Sequence, residues 1–272
     1  IMVSVALTAL LLNRRAISLR SVAIAAIIVL ALRPEALLGP GFQMSFAATT
    51  ALVAIFGYMR DHRISMGPAW FKPVAAVLIS SGVAGLATAP IGAAHFNAIS
   101  HYGLLANLLS VPVMGTVVVP AAVMGLLLAP FGLDGLGLWV MGKGLAWILE
   151  VGRFVAHLDG ARSFVHGPGL LVLPMMTLGA LWIILWQGRG KTVGLVPVCL
   201  AFGLWAMTER PLGLIAEEGA LVGVMTAEGR ALSKARGAGF VAENWLENDG
   251  EKVDQETAFA RWPNAGDGLL PG

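Results

Sequence analysis

Apolar segments of 12 to 26 residues follow one another along most of this chain, separated by short polar loops. A helix crosses the hydrocarbon core of a bilayer with about 20 apolar residues, each rising 1.5 Å. Charged residues make up only 12% of the 272 residues, about half of the roughly 25% that is usual in soluble domains. So few charges cannot cover a surface exposed to water. We therefore expect lipid to be the solvent for most of the chain.

The predicted fold class is an all-α polytopic membrane protein of about 7–8 transmembrane helices, some broken or re-entrant, with a small β-rich soluble C-terminal tail. The second segment is too short to cross alone, and we expect it to continue through Pro34 to Leu38 as a kinked or re-entrant piece. The first segment is interpreted as N-terminally truncated. The candidate spans are Ile1–Leu12, Ser21–Leu32, Met44–Met59, Pro73–Ala93, Leu104–Ala129, Gly137–His157, Gly169–Gln187 and Val193–Met207.

Charge divides the chain at residue 207. Residues 1–207 contain 12 basic and 5 acidic side chains, whereas residues 208–272 contain 6 basic and 11 acidic ones. The second part is predicted to be a short acidic soluble tail, a degenerate or truncated β-meander followed by a short helix, with a disordered end beyond Asp249. Its predicted elements are strands at Leu212–Ala216, Ala220–Thr226 and Arg230–Lys234 and a helix at Phe240–Asn248.

The distribution of basic residues predicts the orientation in the membrane. If every candidate span crosses, eight basic residues fall in loops on one side and three on the other. Cytoplasmic loops carry the excess of lysine and arginine, so the tail is predicted to lie outside. The eight are Arg14, Arg15, Arg20, Arg60, Arg63, Lys72, Arg189 and Lys191, and the three are Arg33, Arg162 and Arg210.

Two segments place polar groups where a bilayer would not tolerate them unpaired. Gln43 and Ser45 follow the turn 39–41 at the start of an apolar run. Gln43 either caps the helix start or lines a path. The span Leu104–Ala129 contains two interior prolines, which free backbone carbonyls, and it is either a kinked structural helix or the wall of a cavity. Its candidate path residues are Asn107, Ser110 and Pro112.

A polar stripe follows one side of the predicted helix Gly137–His157. At 100° per residue its four members fall within about 80° of one another. Facing lipid would be costly, so the stripe faces either the headgroup interface or a watery interior. If the helix lies flat at the interface, the tail moves to the cytoplasmic side. The stripe consists of Lys143, Glu150, Arg153 and His157.

The loop between the spans at 73–93 and 104–129 contains His95, Asn97 and His101. Two histidines alone do not complete a metal site, because no cysteine or carboxylate lies between Asp61 and Asp134. Hydrogen-bonding roles at the loop surface are expected for the histidines, and Asn97 and His101 are also candidate residues of the transport path or its motif. No cofactor, metal ion or catalytic residue is predicted.

Two stretches resemble the membrane domain of the ComEC competence proteins: RPEALLGPGFQMSF (33–46) and ATAPIGAAHFNAISHYGLLANLLSVPVMGTVVVPAAV (87–123). The family pattern reads approximately Asp-Pro-Gly-Phe-Gln-Leu-Ser-Phe and later Asn-Leu-Leu-x-x-Pro. Gly39 stands here for the acidic residue and Met44 for a leucine. The likeness covers roughly residues 1–207.

The resemblance implies a multi-pass component of the bacterial inner membrane that passes single-stranded DNA during natural transformation. It also implies that Gln43, Ser45 and Asn107 border the transport path or support it. Besides DNA and membrane lipid, it implies a DNA receptor, a cytoplasmic helicase and further copies of the chain as candidate partners. Full-length members also carry an oligonucleotide-binding-like and a metallo-β-lactamase-like domain. We expect the first to be missing and the second to be at most begun or degenerate in the tail.

Two other functions stay open: a secondary transporter of small solutes, which would share broken helices, and a non-transporting scaffold of the competence machinery. No enzymatic activity is expected. A metallo-β-lactamase-like nuclease needs histidines with aspartates to hold metal, and all five histidines precede residue 207.

Overall fold

The computed structural model describes residues 18–251 and 253–263. The predicted span Ile1–Leu12 lies outside the described residues. Helix dominates the described chain. The α-helices are α1 (Leu19–Leu32), α2 (Pro40–Asp61), α3 (Lys72–Phe96), α4 (Gly103–Val113), α5 (Val119–Leu128), α6 (Asp134–Ala156), α7 (Val172–Leu185), α8 (Leu195–Ala206), α9 (Gly239–Asn248) and α10 (Gln255–Ala260). Short 3₁₀ helices occupy Pro34–Leu38, Ala129–Phe131 and Arg189–Gly194, and a π-helical turn occupies Met114–Val118.

Three helical segments of the described chain are long and apolar enough to cross a bilayer. They are Pro40–Asp61, Lys72–Phe96 and Gly103–Phe131, with 22, 25 and 29 residues. Each contains one of the predicted spans, so these three segments are candidate membrane-spanning helices by length and composition. The helices α1, α7 and α8 are shorter, at 14, 14 and 12 residues. The count of 7–8 spans therefore stays a prediction.

The chain forms two compact units. One comprises Ile1–Ala89 with Ser100–Ser163, and the other comprises Pro90–Ile99 with Phe164–Gly272. Two short strands, β1 (Ala98–Ser100) and β2 (Arg162–Phe164), form a two-stranded sheet of their own.

In the first unit, proline and serine set the ends of the first helices. The Ser18 hydroxyl accepts a hydrogen bond from the Ser21 N–H at 3.2 Å, which caps α1. The helix ends at Leu32, and a 3₁₀ helix begins at Pro34. The predicted break at Pro34 is therefore present. The next helix starts with Pro40, at a position where the missing N–H is not needed.

The helices α5 and α6 approach each other through glycine. A Cβ atom added to Gly137 would lie 2.5 Å from the Gly125 Cα and 2.7 Å from the Ala121 carbonyl oxygen. One added to Gly144 would lie 2.6 Å from the Val118 Cγ2 atom. Lipid provides no hydrophobic force to join apolar helices, so close packing at small residues must do so.

In the second unit, α7 and α8 form a hairpin with a similar contact. A Cβ atom on Gly179 would lie 2.6 Å from the Gly194 carbonyl oxygen. The indole rings of Trp182 and Trp186 stack at 4.4 Å, and the Trp182 N–H donates to the Gly190 carbonyl at 3.1 Å. Glycine again permits close approach, and the tryptophans close the turn.

The tail folds as a small α+β unit. The strands β3 (Gly213–Ile215), β4 (Val222–Thr226) and β5 (Gly229–Leu232) form an antiparallel sheet in the order β3-β4-β5. In its register Leu214 lies opposite Gly223, which lies opposite Leu232. The three predicted strands and the predicted helix are thus confirmed within a few residues. The tail core is formed by Leu221, Leu232, Ala242, Leu246 and Ala258.

The predicted disorder beyond Asp249 is wrong for the residues that the structure describes there. Helix α10 buries Ala258 completely. Hydrogen bonds from the side chain and backbone of Thr257 hold the pKa of the Asp254 carboxyl below its usual value. This N-terminal cap therefore stabilises α10 above the pKa of an unfolded aspartate and loses its effect as the pH falls through the folded pKa. A six-residue helix with one buried alanine leaves almost no periodic signal, which is why composition alone indicated disorder.

We predict that Gly137→Ala weakens the packing of α5 on α6, because the added methyl group meets backbone rather than a movable side chain. A loss of about 1–3 kcal/mol is expected from overpacking, measured as a lower midpoint of thermal unfolding in detergent. Gly142→Ala on the same helix is the matched control, because no atom of the described chain lies within 4 Å of its added Cβ. Equal midpoints for the two variants would contradict this packing.

Candidate functional site

The regular helix is interrupted in the middle of the segment Gly103–Phe131. Pro112 and Pro120 supply no backbone N–H, so the α-helical ladder cannot run unbroken past them. The chain accommodates them with the π-helical turn, where the Val119 N–H donates to the Met114 carbonyl five residues earlier. Such turns inside α-helices occur frequently at functional sites. If this segment crosses the membrane, the turn lies near the centre of the bilayer.

One side of the π-helical turn is packed against α6. Val118 is 6% exposed and lies against Gly144. The Trp147 indole N–H, also from α6, donates to the Leu109 carbonyl at 3.2 Å. A donor from a neighbouring helix thus stabilises the backbone close to the break.

The other side of the turn is open in the part of the chain that the structure describes. Gly115 and Thr116 are exposed, and apart from the adjacent backbone of the same helix no atom of the described residues lies within 4 Å of the position a Gly115 Cβ would take. The Thr116 hydroxyl donates to the Pro112 carbonyl at 2.7 Å. An exposed polar break at this depth is unsuited to lipid, and irregular backbone is tolerated there when it is buried in protein or lines a watery cavity.

The predicted path residues of the segment Gly103–Phe131 lie on the helix just before the π-helical turn. Asn107 and Pro112 are exposed, and Ser110 is half-buried. Asn107 and Ser110 are three residues apart and therefore lie on one side of α4. An exposed amide on an apolar helix needs water or another protein as its partner.

Gln43 has a local partner at the start of α2. Its side-chain amide donates to the Leu37 carbonyl at 2.9 Å, just before the turn 39–41. Gln43 therefore stabilises backbone at this break, next to the turn 39–41. Ser45 is exposed, and its carbonyl accepts a hydrogen bond from the Thr49 hydroxyl at 2.8 Å.

The four residues of the polar stripe are all exposed on α6. The Lys143 Nζ atom lies 5.7 Å from the centre of the Trp139 ring, and Arg153 lies 3.5 Å from Glu150 in a pair that is largely exposed. His157 immediately follows the helix. The buried face of α6 lies roughly 140° around the helix from the stripe, at 100° per residue, and consists of Gly137, Gly144, Val151 and Val155. The stripe thus points away from α5. This orientation is compatible both with the headgroup interface and with a watery interior.

Asn97 connects the end of α3 to a later segment of the second unit. It is 7% exposed and has φ +50°, a conformation that asparagine tolerates better than most residues. Its side-chain amide donates to the Val165 carbonyl at 3.3 Å, and its own carbonyl accepts the Val165 N–H at 2.9 Å. Asn97 thus has a structural role that its position in a loop did not indicate.

His101 makes a hydrogen bond in the first unit, between Nε2 and the Ser163 hydroxyl at 2.7 Å. This contact is of the kind expected for a loop histidine. Within residues 18–251 and 253–263, no group of three histidine, cysteine, aspartate or glutamate side chains is placed to hold a metal ion.

A buried ion pair in the tail was not predicted from the sequence. Arg230 is fully buried, and its Nε and Nη2 atoms donate to the Asp249 carboxylate. Arg210, just after α8, donates to the same carboxylate at 2.7 Å. The Arg230 Nη1 atom has no hydrogen-bond partner in the described chain. Removing one member of a buried pair is strongly destabilising, so Asp249 is a central anchor of the tail.

Two further contacts join the segment 165–167 to its neighbours in the second unit. The His166 Nε2 atom lies 2.8 Å from the Trp205 carbonyl, and the Trp205 indole N–H donates to the His166 carbonyl at 2.9 Å. The Gly167 N–H donates to the Asn248 carbonyl at 2.9 Å. The chain after α3, the chain before α7, the end of α8 and the tail therefore meet.

These contacts limit the number of membrane crossings. Groups that share a hydrogen bond cannot lie on opposite sides of a hydrocarbon core about 30 Å thick. The chain must therefore cross an even number of times between Asn97 and Val165, and again between Gly167 and Arg210. The alternating loops predicted from the basic residues satisfy both conditions.

We predict that reporters fused after Asn97 and near Asn248 report the outer side of the membrane and that one fused after Lys191 reports the cytoplasm. The activity of a paired compartment-specific reporter measures each position. Opposite sides for Asn97 and Asn248 would contradict the contacts in the second unit. If all three fusions report one side, the α7–α8 hairpin enters the membrane without crossing it.

The family comparison covers the helices described above. A family model described as "Competence protein" matches residues 1–190, which include the π-helical turn and Gln43 but not the tail. No curated protein and no solved structure matches the chain. With 190 of its 272 residues matched, the chain belongs to the Competence protein family.

Proposed function

We propose that this chain forms part of a path for single-stranded DNA across the bacterial inner membrane during natural transformation. Its membership of the Competence protein family supports a role in DNA uptake. The observation that carries the transport role is the π-helical turn in the segment Gly103–Phe131, which is packed on one side and open on the other.

The open side of the turn needs a polar environment. Hydrocarbon offers no hydrogen bonds, and an unsatisfied backbone group there costs several kcal/mol. Water in a transport path would solvate the exposed backbone at Gly115 and the exposed amide of Asn107. A neighbouring protein could also cover them, so access of water to this side distinguishes a path from an interface.

Exposure and hydrogen bonds support a division of the site residues into those that border the path and one that supports it. Asn107, Ser110 and the turn after Pro112 border the path. Gln43 supports the path, because its hydrogen bond to Leu37 stabilises the interrupted backbone before α2. Basic residues in the loops predicted to be cytoplasmic attract the phosphates of the emerging strand. No described span carries a row of aromatic and arginine side chains that would grip bases, so the DNA passes with loose contacts.

The other parts of the proposal concern the arrangement and the partners. The chain crosses the inner membrane several times, with about 7–8 spans including the N-terminal one, and its acidic tail lies outside. It receives DNA from a receptor and passes it to a cytoplasmic helicase. The tail is non-catalytic, because its net negative charge of 5 repels a phosphate backbone and it contains no histidine.

We predict that Pro112→Ala lowers transformation by about ten-fold, the equivalent of about 1.4 kcal/mol. The restored N–H donates to the Leu108 carbonyl four residues earlier, and this added bond favours a regular, straighter helix leading into the π-helical turn. The measurement is the frequency of transformants, together with the amount of membrane-inserted protein and the DNA bound at the cell surface. Surface-bound DNA should stay unchanged.

Pro174→Ala is the matched control, because Pro174 lies in the first turn of α7, where no intrahelical N–H bond is lost. It should transform as the wild type does. Normal transformation by Pro112→Ala at normal protein levels would contradict the transport role of the turn. Loss of a metabolite flux with normal transformation would instead favour a transporter of small solutes.

A further inference from the structure

An open cavity of about 480 Å³ lies where the loop after α2 meets the start of α3. Four of its lining residues are apolar, and the other two supply a hydroxyl and an ammonium group. The lining residues are Ile64, Ser65, Met66, Lys72, Pro73 and Ala76. The two helices that flank this loop are both long and apolar enough to cross a bilayer. The cavity therefore lies at the level of the lipid headgroups if these helices cross.

Within the residues that the structure describes, the ammonium group of Lys72 lacks a compensating charge. Lys72 is the first residue of α3, whose first turn contains no acidic residue. Among the described residues no carboxylate lies within 4 Å of its nitrogen. A helix N-terminus already carries a partial positive charge, so a lysine there is unfavourable unless an anion binds nearby.

The rest of the loop is also positive. Arg60 forms an ion pair with Asp61 at 3.0 Å, whereas Arg63 has no acidic partner in the part of the chain that the structure describes. Between His62 and Lys72 the sequence contains no acidic residue. Trp70 is 80% exposed, and tryptophan is the side chain that most favours the interface between lipid and water.

We propose that this cavity binds an anionic phospholipid. The headgroup phosphate lies on Lys72 and Ser65, and the start of an acyl chain lies along Ile64, Met66 and Ala76. A free phosphate would use only the two polar groups and leave the apolar lining in water. A lipid satisfies both, and basic pockets between helices at the cytoplasmic surface take anionic headgroups. The inference does not depend on DNA transport.

The test uses the purified full chain in a neutral detergent, with phosphatidylglycerol as the probe and phosphatidylcholine as its zwitterionic counterpart. Native mass spectrometry measures the bound lipid, and thermal unfolding measures its effect on stability. Phosphatidylglycerol should be retained and should raise the unfolding midpoint, and phosphatidylcholine should do neither. Lys72→Gln should weaken retention about five-fold, whereas Lys72→Arg should preserve it.

Lys191→Gln is the charge-matched control, because it removes one lysine from the side predicted to be cytoplasmic but lies far along the chain from the cavity. It should retain phosphatidylglycerol as the wild type does. Ala76→Leu tests the apolar wall without changing charge, and it should also weaken retention.

Equal losses of phosphatidylglycerol retention in Lys72→Gln and Lys191→Gln would overturn the proposal, because the net charge of the chain would then explain the effect. Equal retention of phosphatidylcholine would overturn it as well. If a single-stranded oligonucleotide binds through Lys72 and displaces the lipid, the cavity belongs to the DNA path and the proposed occupant is wrong.

Discussion

Hydrocarbon cannot hydrogen-bond a peptide group, and this constraint shapes the helical part of the chain. At three interruptions of the helical ladder, a side chain donates to a carbonyl close to the interruption. Gln43 does so before α2, Thr116 at the π-helical turn, and Trp182 at the α7–α8 turn. The polar residues of these apolar segments are therefore explained first by backbone satisfaction. A transport role has to rest on groups that remain exposed after these bonds are counted.

Such groups remain at the π-helical turn. Its packed side is closed by Val118 against a glycine of α6, which fixes the turn in position. Its open side presents Gly115 and Thr116, and no other part of the described chain covers the glycine. A rigid backing with an open polar face is what a path wall requires, because the wall must keep its shape while water and a flexible strand pass. Asn107 extends the polar face toward one end of the segment.

The lengths of the apolar runs predicted the helices well, because such runs are visible in the sequence without any tertiary context. The tail strands were also predictable, since turn glycines separate short β-prone runs. Pairings between distant residues could not be predicted from the sequence. From the sequence alone, Arg230 would be assigned to the surface. The structure shows that it is paired with Asp249, 19 residues away. The structural role of Asn97 was unpredictable for the same reason, because its partner Val165 is 68 residues away.

Within the candidate site as well, the sequence predicted local features, whereas the contacts had to come from the structure. Prolines at 112 and 120 predicted an interruption, yet only the structure shows that a π-helical turn absorbs it and which side stays open. For Gln43 the sequence left a cap and a path wall as alternatives, and the bond to Leu37 supports a role in holding backbone. No sequence signal indicated which of the exposed polar groups face lipid and which face water.

Access of water to the open side of the π-helical turn is the most direct test of the account. In a Cys199→Ser background, which removes the single cysteine, Gly115→Cys and Leu86→Cys place one thiol each near the middle of a predicted span. A membrane-impermeant maleimide reacts with thiolates, which form in water and not in hydrocarbon. The account predicts rapid labelling of the Gly115→Cys variant and protection of the Leu86→Cys variant, whose native side chain is 80% exposed on an apolar helix. Protection of both variants in intact membranes would contradict a watery path at this turn.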